Sequence, residues 1–153
     1  MREQFAGPHV DVEKAIAFWL MRATVAVRTE TYRAFRVIGL EMTPEQWEVL
    51  ARLWATDGVS QNELCRLTHK DKPTMSRILD GMERRGWLKR RVAASDGRQR
   101  LIKLTARGRN LEAEALPVAR RMVRKLEHGF TEPALKTLRR NLRTITLNLE
   151  TQD

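Results

Sequence analysis

The sequence predicts a mostly α-helical chain carrying one small β-hairpin, an α+β arrangement, and three observations carry that expectation. Apolar residues recur at three- and four-residue spacing through both ends of the chain. Short central segments begin with Ser or Thr followed three residues later by Gln or Glu, the mark of capped helices. An Asp-Gly pair, Asp96-Gly97, separates two short alternating runs. At 153 residues the chain suits one domain, or a compact domain with an oligomerisation extension.

From about Asp11 to Ile38, residues Ile16, Trp19 or Leu20, Ala23, Val27, Ala34, Phe35 and Ile38 share a stripe, which predicts a long amphipathic helix stopped by Gly39. "TPEQWEVLARLW" then supplies Thr43 as N-cap, Pro44 at the first helical position and Gln46 to close a capping box. Trp47, Leu50, Ala51 and Trp54 are expected on its buried face. "SQNEL" repeats the device, with Ser60 as cap and Glu63 closing the box on a short helix to about Leu67.

A tight turn leads to a second helix capped by Asp71 or Lys72, with Pro73 in its first turn and Gly86 at its end. Met75, Ile78, Leu79 and Met82 form its inward stripe, leaving Pro73, Arg77, Asp80 and Arg84 outward with Thr74 and Ser76 beside them. "WLKRRV" and "RQRLIKL" predict a two-stranded ribbon with Leu88, Ile102 and Leu104 inward and a basic tip. Thr105 is placed to cap a helix reaching about Glu127 through Leu111, Ala115, Val118, Ala119, Met122 and Leu126, with a kink expected at Pro117. In the last helix Leu135, Leu138, Leu142, Ile145 and Leu149 follow the spacing of a coiled-coil seam.

Charge points to a partner. The formal net charge is +10, and residues 60–109 hold 14 Lys/Arg against 5 Asp/Glu while the rest of the chain holds 15 against 14. An excess gathered into one third of the chain favours a polyanion-facing surface over an evenly solvated one. The lone Cys65 excludes a disulfide within the chain, and His9, His69 and His128 lack ligand spacing, so no metal or cofactor is expected. Without a Gly-rich phosphate loop or a nucleophile-base arrangement, an enzyme is not expected either. No apolar run approaches the ~18 residues of a membrane span, and the N-terminus has no signal-peptide core. The expectation is a cytoplasmic protein with no membrane partner.

A short capped helix, a tight turn, an outward-polar helix and a basic hairpin compose a winged helix-turn-helix. A helix fits the major groove of B-DNA, and a hairpin beside it can carry an arginine into the minor groove. "GWLKRRVAASDGRQRLIKLTARG" resembles the wing of the MarR family of bacterial transcription regulators, marked by Asp-x-Arg, a strand and Leu-Thr-x-x-Gly. Here Asp96, Arg98, Leu104, Thr105 and Gly108 meet that pattern. "SQNELCRLTHKDKPTMSRILDGMERRGWL" is similar to the family's helix-turn-helix, ending in Met82, Glu83 and Gly86. The resemblance spans about residues 11–149.

The resemblance implies that Arg98 is the minor-groove residue at the wing tip, oriented by Asp96. It places Lys72, Thr74, Ser76 and Arg77 toward the major groove, and Ser60, Gln61 and Asn62 where the preceding helix meets phosphate. Arg90, Arg91 and Arg100 are expected on the ribbon facing phosphate. Arg84 is a candidate backbone contact; alternatively Arg77 and Arg84 pair with Asp80 at helical spacing. The family is dimeric through interlocked terminal helices, which makes residues 11–38 and 109–150 the expected dimerisation helices and 43–108 the DNA-binding domain; the other reading packs those helices within one monomer.

The implied function is a homodimeric, sequence-specific regulator of transcription, expected to act as a repressor on a pseudo-palindromic site in double-stranded DNA. Members of the family often release DNA on binding a small molecule, frequently an aromatic acid. Trp19, Arg22 and Tyr32 are candidates for holding one, unless they are core aromatics and a surface arginine. The alternative function is a winged-helix module that docks protein or RNA through its basic ribbon. Cys65 reads as an inert thiol, because peroxide-sensing relatives carry theirs in the N-terminal helix, and His69 reads as a surface or phosphate-contacting residue.

Overall fold

The computed structural model describes residues 12–92 and 100–150. A 3-10 turn at Val12–Lys14 leads into α1 (Ile16–Val37), then α2 (Pro44–Ala55), β1 (Val59–Ser60), α3 (Gln61–Thr68), α4 (Lys72–Arg84), β2 (Leu88–Val92), β3 (Arg100–Leu104), α5 (Ala106–Glu127) and α6 (Glu132–Glu150). Six helices and a small antiparallel sheet are the mostly α arrangement that the sequence predicts. The sheet has three strands in the order β1-β3-β2, so the two-stranded ribbon gains an inner partner. The Asp57 carboxylate accepts the Leu104 N–H at 2.8 Å, and the Gly58 N–H donates to the Ile102 carbonyl at 3.1 Å, which seats the loop after α2 on β3.

The helix starts follow their caps. Thr43 Oγ1 accepts the Gln46 N–H at 3.2 Å and Gln46 Oε1 accepts the Thr43 N–H at 3.1 Å, completing the box on α2. Ser60 Oγ accepts the Glu63 N–H at 3.1 Å, but the Glu63 carboxylate turns to Arg66 at 2.6 Å, so the second box is only half formed. Asp71 is the cap of α4, accepting the Thr74 N–H at 2.7 Å. At the end of α1, Gly39 takes a left-handed turn with φ of +78° and donates its N–H to the Arg36 carbonyl.

One core joins α2, α4, the sheet and the first half of α5. Val49, Leu50, Leu53, Leu64, Met75, Leu79, Met82, Leu88, Ile102 and Ala115 are fully buried in it. The buried face of α2 is rotated from the expected one: Gln46, Val49, Leu50 and Leu53 are inside, with Trp47 and Trp54 at the margin. Indole explains this, because Trp54 Nε1–H needs a polar partner and finds the Gly108 carbonyl at 2.9 Å. The outer helices are different. Only Phe35 of α1 is buried, no residue of α6 is, and α5 runs unbroken through Pro117. No helix is long and apolar enough to cross a membrane among the described residues.

The wing returns to the helices at one crowded junction. Thr105 Oγ1 accepts the Gly108 N–H at 3.0 Å as the cap of α5 and donates to the Gly86 carbonyl at 2.6 Å. The Thr105 N–H meets the Trp87 carbonyl at 3.1 Å. A Cβ on Gly108 would lie 1.8 Å from that same oxygen, which leaves no space for any side chain. Gly108→Ala is therefore expected to cost about 2–3 kcal/mol through overpacking, lowering Tm by roughly 4–12 °C for a chain of this size. Thermal unfolding followed by circular dichroism measures it, and an unchanged Tm would contradict the close approach.

Candidate nucleic-acid interface

The outward face of α4 and the neighbouring ribbon form one surface. Helix α4 buries Met75, Leu79 and Met82 completely, which fixes its rotation and turns the opposite side to solvent. Lys72, Pro73, Arg77 and Arg84 are exposed there, with Thr74 and Ser76 half-buried at the flanks. Hydrogen bonds from the Thr74 backbone and hydroxyl hold the Asp71 carboxyl below its usual range. In α3, Ser60 is occupied as the cap, while Gln61 and Asn62 lie half-buried and exposed in the first turn of the helix.

Cross-strand register divides the ribbon's arginines. Leu88 pairs with Leu104, Arg90 with Ile102 and Val92 with Arg100, so these six share the face turned to the core and its outward continuation. Lys89, Arg91, Leu101 and Lys103 lie on the other face. Arg91 and Arg100 are exposed, as a phosphate-facing role requires. Asp96 and Arg98, expected at the ribbon tip, lie outside the described residues.

Arg90 departs from expectation. Its side chain is only 15% exposed, with Nη2 at 2.6 Å from Asp80 Oδ1 and Nη1 at 2.5 Å from Glu83 Oε2. A guanidinium held by two carboxylates is not free to face phosphate, so this position is corrected from a surface contact to an internal one. The same pairing settles what Asp80 does. Arg77 reaches only Thr74 Oγ1, at 3.4 Å, and Arg84 has no ion pair among the described residues. Among the described residues neither has an ion pair on the outward stripe, although Arg77 lies close enough to Asp71 to help lower its pKa.

The aromatic candidates on α1 do not converge. Trp19 and Tyr32 are 13 positions apart, about 20 Å along a helix axis. Arg22 sits 6.0 Å from the Phe18 ring centroid rather than over Trp19, whose Nε1–H donates to the Glu13 carbonyl at 2.8 Å. Tyr32 instead has Arg36 at 5.8 Å from its ring and shares with Thr29, Arg33, Arg36 and Val37 a cleft of about 470 Å³. A smaller apolar crevice of about 180 Å³ lies between α1, α2 and α5, lined in part by Val27, Phe35, Trp47 and Met122. Within one chain, the three residues do not form a single site.

Several residues that position this surface gave no signal in the sequence. Asp57 ties the loop before β1 to β3 and lies 3.4 Å from Arg109 on α5. Lys70, at the turn before α4, is held by Glu48 of α2 at 2.5 Å. Arg85 bonds the Glu41 carbonyl and stacks 5.0 Å from the Trp87 ring centroid. Cys65 is half-buried beside this turn, and His69, in the left-handed region, faces Glu150 at 3.4 Å.

Comparison with known proteins accounts for the arrangement. Residues 40–99 match the MarR family. A protein named as a probable transcriptional regulator from Pseudomonas aeruginosa is 31% identical, superposes with a TM-score of 0.78, and is covered over 98% of its length by 88% of this chain. The transcriptional repressor CouR, solved on a 23-mer DNA duplex, is 28% identical with a TM-score of 0.79, over 89% of this chain and 95% of that one. MarR itself is 26% identical with a TM-score of 0.71, over 92% of this chain and 95% of the other. With Met82, Glu83, Gly86, Leu104, Thr105 and Gly108 of the family's pattern seated on a winged helix-turn-helix and similarity over nearly the whole length of a relative, this chain belongs to the MarR family of transcriptional regulators.

Proposed function

We propose that the protein is a homodimeric repressor that binds a pseudo-palindromic site in double-stranded DNA and is released by a small-molecule effector. The observation that carries the DNA reading is the outward face of α4, where Lys72, Arg77 and Arg84 are exposed with no ion pair among the described residues, beside a basic antiparallel ribbon. In this reading Lys72, Thr74, Ser76 and Arg77 approach the major groove, and Gln61 and Asn62 approach the phosphates with the first turn of α3. Arg84, Arg91 and Arg100 widen the phosphate contact, and Arg98, oriented by Asp96, enters the minor groove. The likeness to CouR on its duplex supports the assignment.

Residues 11–38 and 109–150 are proposed as the dimerisation helices, with 43–108 as the DNA-binding domain. Ile16, Met21 and Val25 on α1 are 63%, 72% and 63% exposed, and Leu138, Leu142 and Leu149 of α6 are 41%, 39% and 79% exposed. A second copy covering both helices removes that apolar surface from water and sets two α4 helices one DNA turn apart. Light scattering is expected to give twice the chain's 17.8 kDa. A monomer at micromolar concentration contradicts this part of the reading.

Binding that neutralises several phosphates must weaken steeply with salt, log K falling by roughly 0.9 per phosphate against log salt. Arg98→Ala is expected to weaken duplex binding by about 1–3 kcal/mol, the worth of a good arginine contact. A duplex affinity indifferent to both salt and Arg98 would favour a protein- or RNA-docking module instead.

For the effector, Tyr32 with Arg36 beside its ring offers an aromatic face and a guanidinium, a combination suited to an aromatic carboxylate; Trp19 and Arg22, the other two candidates, lie elsewhere on α1. A bound effector at 100 times its Kd stabilises the fold by ~2.7 kcal/mol, which a thermal-shift screen of aromatic acids detects. The same compound must release the duplex. Stabilisation without release would separate this site from regulation.

A further inference from the structure

Arg90 sits where a β2 residue would ordinarily be apolar. It shares the core-turned face of the ribbon with Leu88, directly opposite the fully buried Ile102. Its guanidinium reaches two carboxylates one turn apart on α4, Asp80 at 2.6 Å through Nη2 and Glu83 at 2.5 Å through Nη1. Nη2 also lies 3.4 Å from the Ser76 carbonyl, and Glu83 Oε1 accepts the Arg90 backbone N–H at 3.1 Å. Glu83 thus holds the strand by its backbone and its side chain together. Only a planar fork can span both carboxylates; a lysine ammonium is a single point of charge.

The carboxylates are otherwise out of place. Two negative charges on a helix that faces a polyanion repel it, unless they do something that outweighs the repulsion. Asp80 and Glu83 are 47% and 40% exposed, against 15% for Arg90, so the pair forms the outer wall of the contact and the arginine its inner part. We propose that Arg90 is a positioning residue, clasped by Asp80 and Glu83, that sets the wing at the angle to α4 at which both reach one duplex. This rests on the DNA-binding reading above and adds to it a residue that acts without touching DNA. A wing loosened from α4 must be re-fixed on binding, and the ordering cost appears as lost affinity.

The test uses the full-length protein and a duplex that the wild type itself selects from a randomised pool. Glu83→Gln removes a negative charge near DNA, which simple electrostatics says must tighten binding; the clasp requires it to weaken binding, by roughly tenfold. Arg90→Lys keeps the charge but cannot span two carboxylates, and is expected to lose a similar factor with an unchanged salt slope. If Arg90 met phosphate directly, Arg90→Gln would instead lower the slope by roughly 0.9 for each phosphate it ceased to neutralise. Hydrogen exchange at Lys89–Arg91 and Leu101–Lys103 provides a readout independent of DNA, and both Glu83→Gln and Arg90→Lys must speed it. A wild type that selects no duplex brings down the DNA-binding reading and this proposal with it. A wild type that binds while Glu83→Gln binds as tightly or tighter, or leaves ribbon exchange unchanged, overturns the clasp alone.

Discussion

The contact between Gly108 and the Trp87 carbonyl is the constraint on which the rest of the structure depends. It fixes how closely α5 approaches the end of α4, and α5 leads away toward the outer helices. Thr105 makes the approach possible, since one hydroxyl caps α5 and donates to Gly86 while its backbone N–H takes the Trp87 oxygen. Trp54 then closes the junction from α2 by donating to the Gly108 carbonyl. Four segments meet within one helical turn. In a close-packed interior, a shift in any one of them must be passed to the others.

That geometry gives a route by which events at the outer helices can reach the surface formed by α4 and the ribbon. Helix α1 lies along α5, tied to it by Lys125 and Glu30 at 2.6 Å, and the hydrogen bond from Lys125 lowers the Glu30 pKa. Phe35, near the end of α1, packs tilted against Trp47 at 5.3 Å between ring centroids, and Trp47 meets Trp54 edge to face at 5.6 Å. The aromatic series ends on the carbonyl of Gly108. Packed side chains of this kind couple two sites only if they have two arrangements, and the structure holds one of them.

Local rules are legible in the sequence, and relations between elements are not. Thr43, Ser60, Asp71 and Thr105 act within three residues of themselves, so their capping roles follow from spacing alone. Met75, Leu79 and Met82 follow from helical period. Strand β1 has two residues, too few for any alternation to register, and its pairing depends on Asp57 reaching a strand 47 positions away. Arg90 escapes a sequence reading for a related reason: a basic residue in a basic stretch reads as exposed, and only the fold brings Asp80 and Glu83 to it. Trp19, Arg22 and Tyr32 share a helix but not a site, because spacing along a helix fixes a direction without fixing a neighbourhood.

The distribution of ion pairs sharpens the meaning of the net charge. Residues 60–109 contain five acidic residues, and each of the four that the structure describes is committed locally. Glu63 pairs with Arg66, whose hydrogen bond lowers its pKa, Asp71 caps α4, and Asp80 and Glu83 hold Arg90. Lys70 and Arg109 find their carboxylates outside this window, on Glu48 and Asp57, while Arg85 is taken by a carbonyl and an indole ring. The cations left without an ion pair among the described residues are then Lys72, Arg77, Arg84, Lys89, Arg91, Arg100, Lys103 and Arg107, on α4, the ribbon and the first turn of α5. The positive excess of residues 60–109 is therefore concentrated on α4, the ribbon and the first turn of α5, while Asp80 and Glu83, although paired with Arg90, keep negative charge at its edge.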